Sequence, residues 1–127
     1  MRNYIRFVVH VKDQDSHQRL GFFGAAYDLL RSGDISIYYE VGIEHFLDWF
    51  RHNLHAPPEK LLDDNPTALC WFKDDAHEHI SKSRKLIQIL QEHGIEVEML
   101  VTRKPGYIIY EDDFQVAAIP FYKDTTL

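Results

Sequence analysis

Residues 67–72, Thr-Ala-Leu-Cys-Trp-Phe, form a run that is apolar on both faces, with Pro66 before it and Lys73, Asp74 and Asp75 after it. A strand reads this way when neither side of its pleat meets water, as in the middle of a sheet that is covered on both faces. A chain containing such a segment has to provide strands on either side of it and a layer to cover them. At 127 residues there is enough chain for one domain, 1–127, because a chain of this size buries roughly two-thirds of the surface it exposes when unfolded. The apolar fraction of 45% and charged fraction of 27% argue against a disordered chain.

The flanking elements are signalled by period. Residues 4–12 alternate, with Ile5, Phe7, Val9 and Val11 on one side, which is the period of a strand with one apolar face. Asp13, Gln14, Asp15 and Ser16 then offer a polar turn and helix caps, and a largely buried helix carrying Leu20, Phe23, Tyr27 and Leu30 on one stripe ends at Gly33. Tyr39, Ile43, Phe46, Leu47, Phe50 and Leu54 follow the spacing of one helical face, and Pro57 and Pro58 lie beyond that helix. The connection 59–66 reads as surface chain with a short turn. A third helix spans 74–93 with Ala76, Ile80, Ser83, Ile87 and Leu90 on its buried stripe and Gly94 as its stop. Residues 95–103 alternate again, placing Val97, Met99 and Val101 inward.

After a turn at Pro105 and Gly106, residues 107–110 and 115–120 make a hairpin whose four-residue loop sets Tyr110 opposite Gln115. Ile108 and Ala117 then share a face, and Ile109, Val116 and Ala118 share the other. Both faces are apolar, so either other elements cover them or one packs against a second copy of the chain. The expected architecture is an α+β domain: a mixed five-stranded sheet with three helices in the order β-α-α-β-α-β-β-β, ending in an antiparallel hairpin. The β-α-β segment in the middle favours a right-handed crossover between parallel strands.

Fourteen Lys and Arg against 20 Asp and Glu give a net charge of −6, the wrong sign for a protein that grips a phosphate backbone. No run approaches the ~18 apolar residues of a membrane span, and the first residues read as a strand instead of a leader. The chain is therefore expected in the cytoplasm, without nucleic-acid or membrane partners. The single cysteine, Cys70, allows no internal disulfide and no multi-cysteine zinc site; within its apolar run it reads as a small core residue. The Walker loop, the dinucleotide-binding glycine fingerprint, the GxSxG elbow and the HExxH pair are all absent.

The residue types with the most chemistry are His79 on the third helix and Tyr110, Glu111, Asp112 and Gln115 around the hairpin. His79 and Glu111 are the acid–base candidates, and Tyr110 and Gln115 the ligand-orienting ones, in a pocket between helix 74–93 and hairpin 107–120. The bland alternative is that His79 tucks between helix and sheet and hydrogen-bonds there. Glu111, Asp112 and Asp113 lack the spaced ligands of a calcium loop. His77 and His79, two apart on a helix, point in different directions; Asp75 with His79, or Glu44 with Asp48 and His52, has better spacing but reads as solvated helix. No metal and no cofactor is expected. Trp49 falls among charges on the polar side of the second helix, where a large aromatic serves either as an interface anchor or as packing against a neighbouring loop. Two functions follow: a non-catalytic protein that associates with itself as a homodimer or with a protein partner, and a small enzyme or ligand-binding domain.

Trp71, Phe72 and Lys73, then His79 and Ile80, then Glu92, His93 and Gly94, and above all Pro105, Gly106, Tyr107, Tyr110, Glu111, Asp112, Gln115 and Val116 carry a resemblance. Over residues 68–121, a little under half the chain, it resembles a small uncharacterised family of bacterial proteins. The resemblance implies a bacterial, cytosolic origin and assigns no role to any residue.

Overall fold

A computed structural model describes residues 1–12 and 19–121. In chain order the elements are β1 (Tyr4–Lys12), β2 (Arg19–Gly21), α1 (Phe22–Ser32), α2 (Ile37–Asn53), α3 (Glu59–Asp64), β3 (Leu69–Lys73), α4 (His77–Glu92), β4 (Glu98–Thr102), β5 (Tyr107–Glu111) and β6 (Gln115–Ile119). The α+β class holds, with one more strand and one more helix than the periodicity announces. β2 has three residues and α3 has six, too few to show either period. The cap candidates 13–16 lie outside the described residues. Leu20 falls in β2, so α1 begins later than expected and turns Phe22, Ala25 and Ala26 into the core, with Phe23, Tyr27 and Leu30 at its margin.

The sheet runs β2-β1-β3-β6-β5, and β4 pairs with β1. β1 is its spine. One edge pairs with β4 from Tyr4 to Val8; the other meets β3 at Tyr4 and Ile5 and then β2 at Val8 and Lys12. Every pairing is antiparallel, which corrects the expected mixed sheet. β3 and β4 do run the same way, because both oppose β1, but β1 lies between them and α4 carries the chain past it. Periodicity reports which face of a strand is buried and not which strand lies beside it, so the neighbour relation was not available from the pattern.

The two-sided run is central, as its composition requires: β3 sits between β1 and β6, with Trp71 and Phe72 both buried. Their side chains alternate across the sheet. Phe72 joins Phe7, Val9 and the inner stripes of α1, α2 and α4 in the main core, where Phe22 meets Phe7, Phe23, Phe50 and Phe72 ring to ring. Trp71 joins Leu69 and Val116, with Tyr4 and Leu100 packed against them.

β4 and β5 depart from the expected burial because they are edge strands. Met99 and Val101 are about half exposed, at 44% and 51%; the Arg84 side chain of α4 reaches Met99 Sδ and lies over the Phe7 ring. β6 lies between β3 and β5 and is buried from Gln115 to Ala118, with Val116 packed against Leu69 and Trp71. The β5 half of the hairpin is less covered, Tyr107 and Ile108 being 63% and 44% exposed. The hairpin register also differs: Tyr110 pairs with Ala117 and Glu111 with Val116, and an irregularity at Ile109 shifts Ile108 to Ala118. The turn is tighter than the length of the polar loop suggests, since Asp112 N–H bonds to the Gln115 carbonyl. At the other end of the hairpin Gly106 has φ +136°, and a Cβ there would lie 2.1 Å from the Ile119 carbonyl oxygen. Only glycine fits that approach.

Candidate functional site

His79 lies in the first turn of α4, 4% exposed. Its Nε2 is 2.7 Å from the carbonyl oxygen of Asn53. A carbonyl only accepts, so Nε2 carries the proton and donates it to the last residue of α2, one of the carbonyls that a helix leaves without an internal partner. The ring is enclosed by aromatics, with centroids 4.2 Å from Phe114 and 5.0 Å from Trp49, and Phe50 and Phe72 behind. It meets the hairpin through the Phe114 ring.

The polar residues of the hairpin are organised around Asp112. Its Oδ1 accepts the backbone N–H groups of Phe114 and Gln115 at 2.9 and 3.0 Å. Its Oδ2 accepts the Tyr110 hydroxyl at 2.9 Å and the Gln115 amide at 3.2 Å. The same amide nitrogen donates to the His55 carbonyl at 2.5 Å, so hairpin and α4 together fasten the segment that follows α2. Burial alone would raise the Asp112 carboxyl, but the bonds from the Phe114 amide, the Gln115 side chain, Tyr110 and the Gln115 amide together hold it below its ordinary value of 3.8. Tyr110 is raised correspondingly, first by its bond to Asp112.

Glu111 points to the other face of the sheet, where it pairs with Lys73 at 2.6 Å, the lysine side chain being only 10% exposed. The sequence candidates therefore fall into separate places. Tyr110 and Gln115 share Asp112, His79 serves Asn53, and Glu111 serves Lys73. A shallow concavity of about 510 Å³ between α2, α4 and the hairpin tip is lined by Trp49, His52, His55, His77 and His79 among others, but not by Tyr110, Glu111 or Gln115. Gln115 instead borders a smaller gap of about 70 Å³, lined also by Arg6, Cys70 and Leu54, where β1 and β3 part. Burial pushes the Cys70 thiol up, and the nearby Arg6 lowers it by less. Asn53, His55 and Asp112 hold this region together; the first two act through backbone carbonyls, which no side-chain pattern reveals, whereas an aspartate two residues before a turn's end is a sign of a side-chain-closed turn.

Trp49 is half-buried, edge-on to Phe50 and His79, with the Lys82 ammonium 5.5 Å from its ring. A second feature lies on the same pair of helices. Ile37, Tyr38 and Val41 project from α2 at 72%, 78% and 59% exposure, on the side away from Ile43, Leu47 and Phe50. With Gly42, Phe46 and Ile89 they line an open groove of about 1000 Å³ between α2 and α4. Tyr39 lies at its edge, where the neighbouring Glu92 raises the pKa of its hydroxyl. The first two turns of α2 are thus apolar on both sides, a departure from clean amphipathicity visible in the sequence once the inner stripe is subtracted.

Among the described residues, no three His, Cys, Asp or Glu side chains are grouped to hold a metal ion. No described helix is long and apolar enough to cross a membrane. No family model, curated protein or solved structure matches the chain.

Proposed function

We propose that this chain is a non-catalytic protein that works by binding another polypeptide, and that the face shared by α2 and α4 is where it does so. The observation that carries this reading is the projection of Ile37, Tyr38 and Val41 beside an open groove. Contiguous apolar surface of this kind costs solubility and persists where a partner covers it. Of the two features that suggest association from the sequence, the hairpin has its β6 half buried while Tyr107 and Ile108 of β5 stay exposed at 63% and 44%, and Trp49 packs on His79 and Phe50. The basis for the reading is the α2/α4 face, where three exposed apolar side chains stand beside a groove. The catalytic alternative has its histidine committed to the Asn53 carbonyl and its carboxylate to Lys73. A bacterial, cytoplasmic setting is what the resemblance over residues 68–121 implies.

The test is photo-crosslinking in living cells that express the chain. Benzoylphenylalanine replaces Tyr38 in one sample and Lys60, an exposed residue of α3, in a control. A discrete protein adduct at position 38, and none at 60, is expected. No adduct at 38, or equal adducts at both positions, refutes the assignment of this face.

A further inference from the structure

We infer that the partner is a second copy of this chain, seated on the α2/α4 face across a two-fold axis that crosses both helices at mid-groove. This rests on the proposal that the face is the association surface, and it adds the identity and orientation of the occupant.

The two helices run antiparallel. Tyr39 of α2 lies against His93 just beyond the end of α4, Gly42 lies against Ile89, and Trp49 and Asn53 lie against Lys82 and His79. Along α4 the groove is lined by Lys85, Gln88, Ile89 and Glu92. Lys85 and Glu92 are seven residues apart, close to two full turns, so they share a face with opposite charges at its two ends. The midpoint between them falls between Gln88 and Ile89. Along α2, Tyr38 and His45 line the same groove and are also seven apart, with a midpoint between Val41 and Gly42. Gly42 and Ile89 are in contact, so both midpoints fall at one level of the groove.

A two-fold axis lying in the interface, perpendicular to the helices at that level, brings α4 antiparallel to its counterpart. Lys85 then faces Glu92 of the partner subunit, and Glu92 faces the partner's Lys85. Tyr38 faces the partner's His45, and Val41 packs near the dyad. The other in-plane two-fold, parallel to the helices, sets Lys85 over the partner's His45 and pairs no opposite charges. The face is self-complementary in one orientation only, which is the property of an isologous interface, and that orientation closes on itself as a dimer instead of propagating into a filament. The four helices form an antiparallel bundle-like layer, with the two sheets on the outside.

Sedimentation equilibrium of the purified chain tests this, with K85E, E92K, the double variant and V41E, each checked for folding by circular dichroism. All three positions are exposed. The wild type is expected to dimerise. K85E and E92K should each raise the dissociation constant by about tenfold, because each altered pair occurs twice in a symmetric dimer. The double variant should recover most of that loss, and V41E should abolish dimerisation. A monomeric wild type overturns the second copy as occupant, while an adduct at position 38 would still support the face with a different protein on it. Dimerisation lost in V41E but unchanged by the charge reversals overturns this dyad and leaves the face standing. Dimerisation indifferent to V41E places the interface elsewhere and overturns both.

Discussion

Replacing His79 with alanine empties a ring-sized space among Trp49, Phe50, Phe72 and Phe114 and leaves the Asn53 carbonyl without its donor. The imidazole is 4% exposed, so nearly all of its packing is lost. Removing a buried aromatic side chain costs about 3–5 kcal/mol, and an orphaned buried acceptor adds up to ~1–3 kcal/mol. Asn53 itself is exposed, so water recovers most of the second cost, and the total is expected to stay close to the packing cost of about 3–5 kcal/mol. Phenylalanine at the same position keeps a ring and removes only the donor, so His79→Phe should cost about 1–2 kcal/mol. The assay is urea denaturation followed by tryptophan fluorescence, which Trp49, 5.0 Å from the His79 ring, makes sensitive to this site. If both variants stay within ~0.5 kcal/mol of wild type, the level of an ordinary surface substitution, the ring is not a packing element and the histidine is free for another task.

Two other substitutions test the hairpin. Gly106→Ala drives a Cβ into the Ile119 carbonyl at 2.1 Å from a backbone with φ +136°; a loss of at least about 3 kcal/mol is expected, seen as a fall in Tm of roughly 10 °C or more, and a fall below about 3 °C would mean that the turn relaxes freely. Asp112 is held below its ordinary value of 3.8, so it contributes stability that is present above that value and lost as pH falls through the lower, folded one. Asp112→Asn should therefore be destabilising near neutrality, with the gap to wild type closing as the pH falls below the ordinary value of 3.8; a gap in urea midpoints that does not change with pH would show that the charge contributes nothing.

What was legible in the sequence depended on whether the signal is carried by a side chain's period. The central position of β3 follows from a run with no polar side, and the inner faces of α2 and α4 from repeats at helical spacing. β2 and α3 are shorter than the periods that would announce them. Strand neighbours are set by where long connections return, so β1 taking β4 on one edge and β3 then β2 on the other left no local trace. The hairpin register departs from the one that loop length implies because Asp112 closes the turn with its own carboxylate. His79 was recognisable as a histidine at the margin of an apolar stripe, but its partner is a backbone carbonyl 26 residues earlier, and backbone carbonyls look alike in every sequence. The outward apolar residues of α2 were present in the text of the chain and hidden by the stronger stripe beside them.

The position of β1 at the heart of the sheet also sets the order in which the molecule can be made. Its longest partnership joins Tyr4 to Thr102 and Val8 to Glu98, and its contact with β3 joins Tyr4 to Lys73. At a synthesis rate of ~5–20 residues per second, the ribosome takes on the order of 5–20 s to deliver β4 after β1 has emerged. Until β3 and α4 arrive, the alternating apolar face of Ile5, Phe7 and Val9 has only β2 and the first helices beside it, and the edge that takes β4 stays open for the whole interval. Loops that long close slowly, so the pairing of β1 with β4 is expected to be a late step in the folding of this chain.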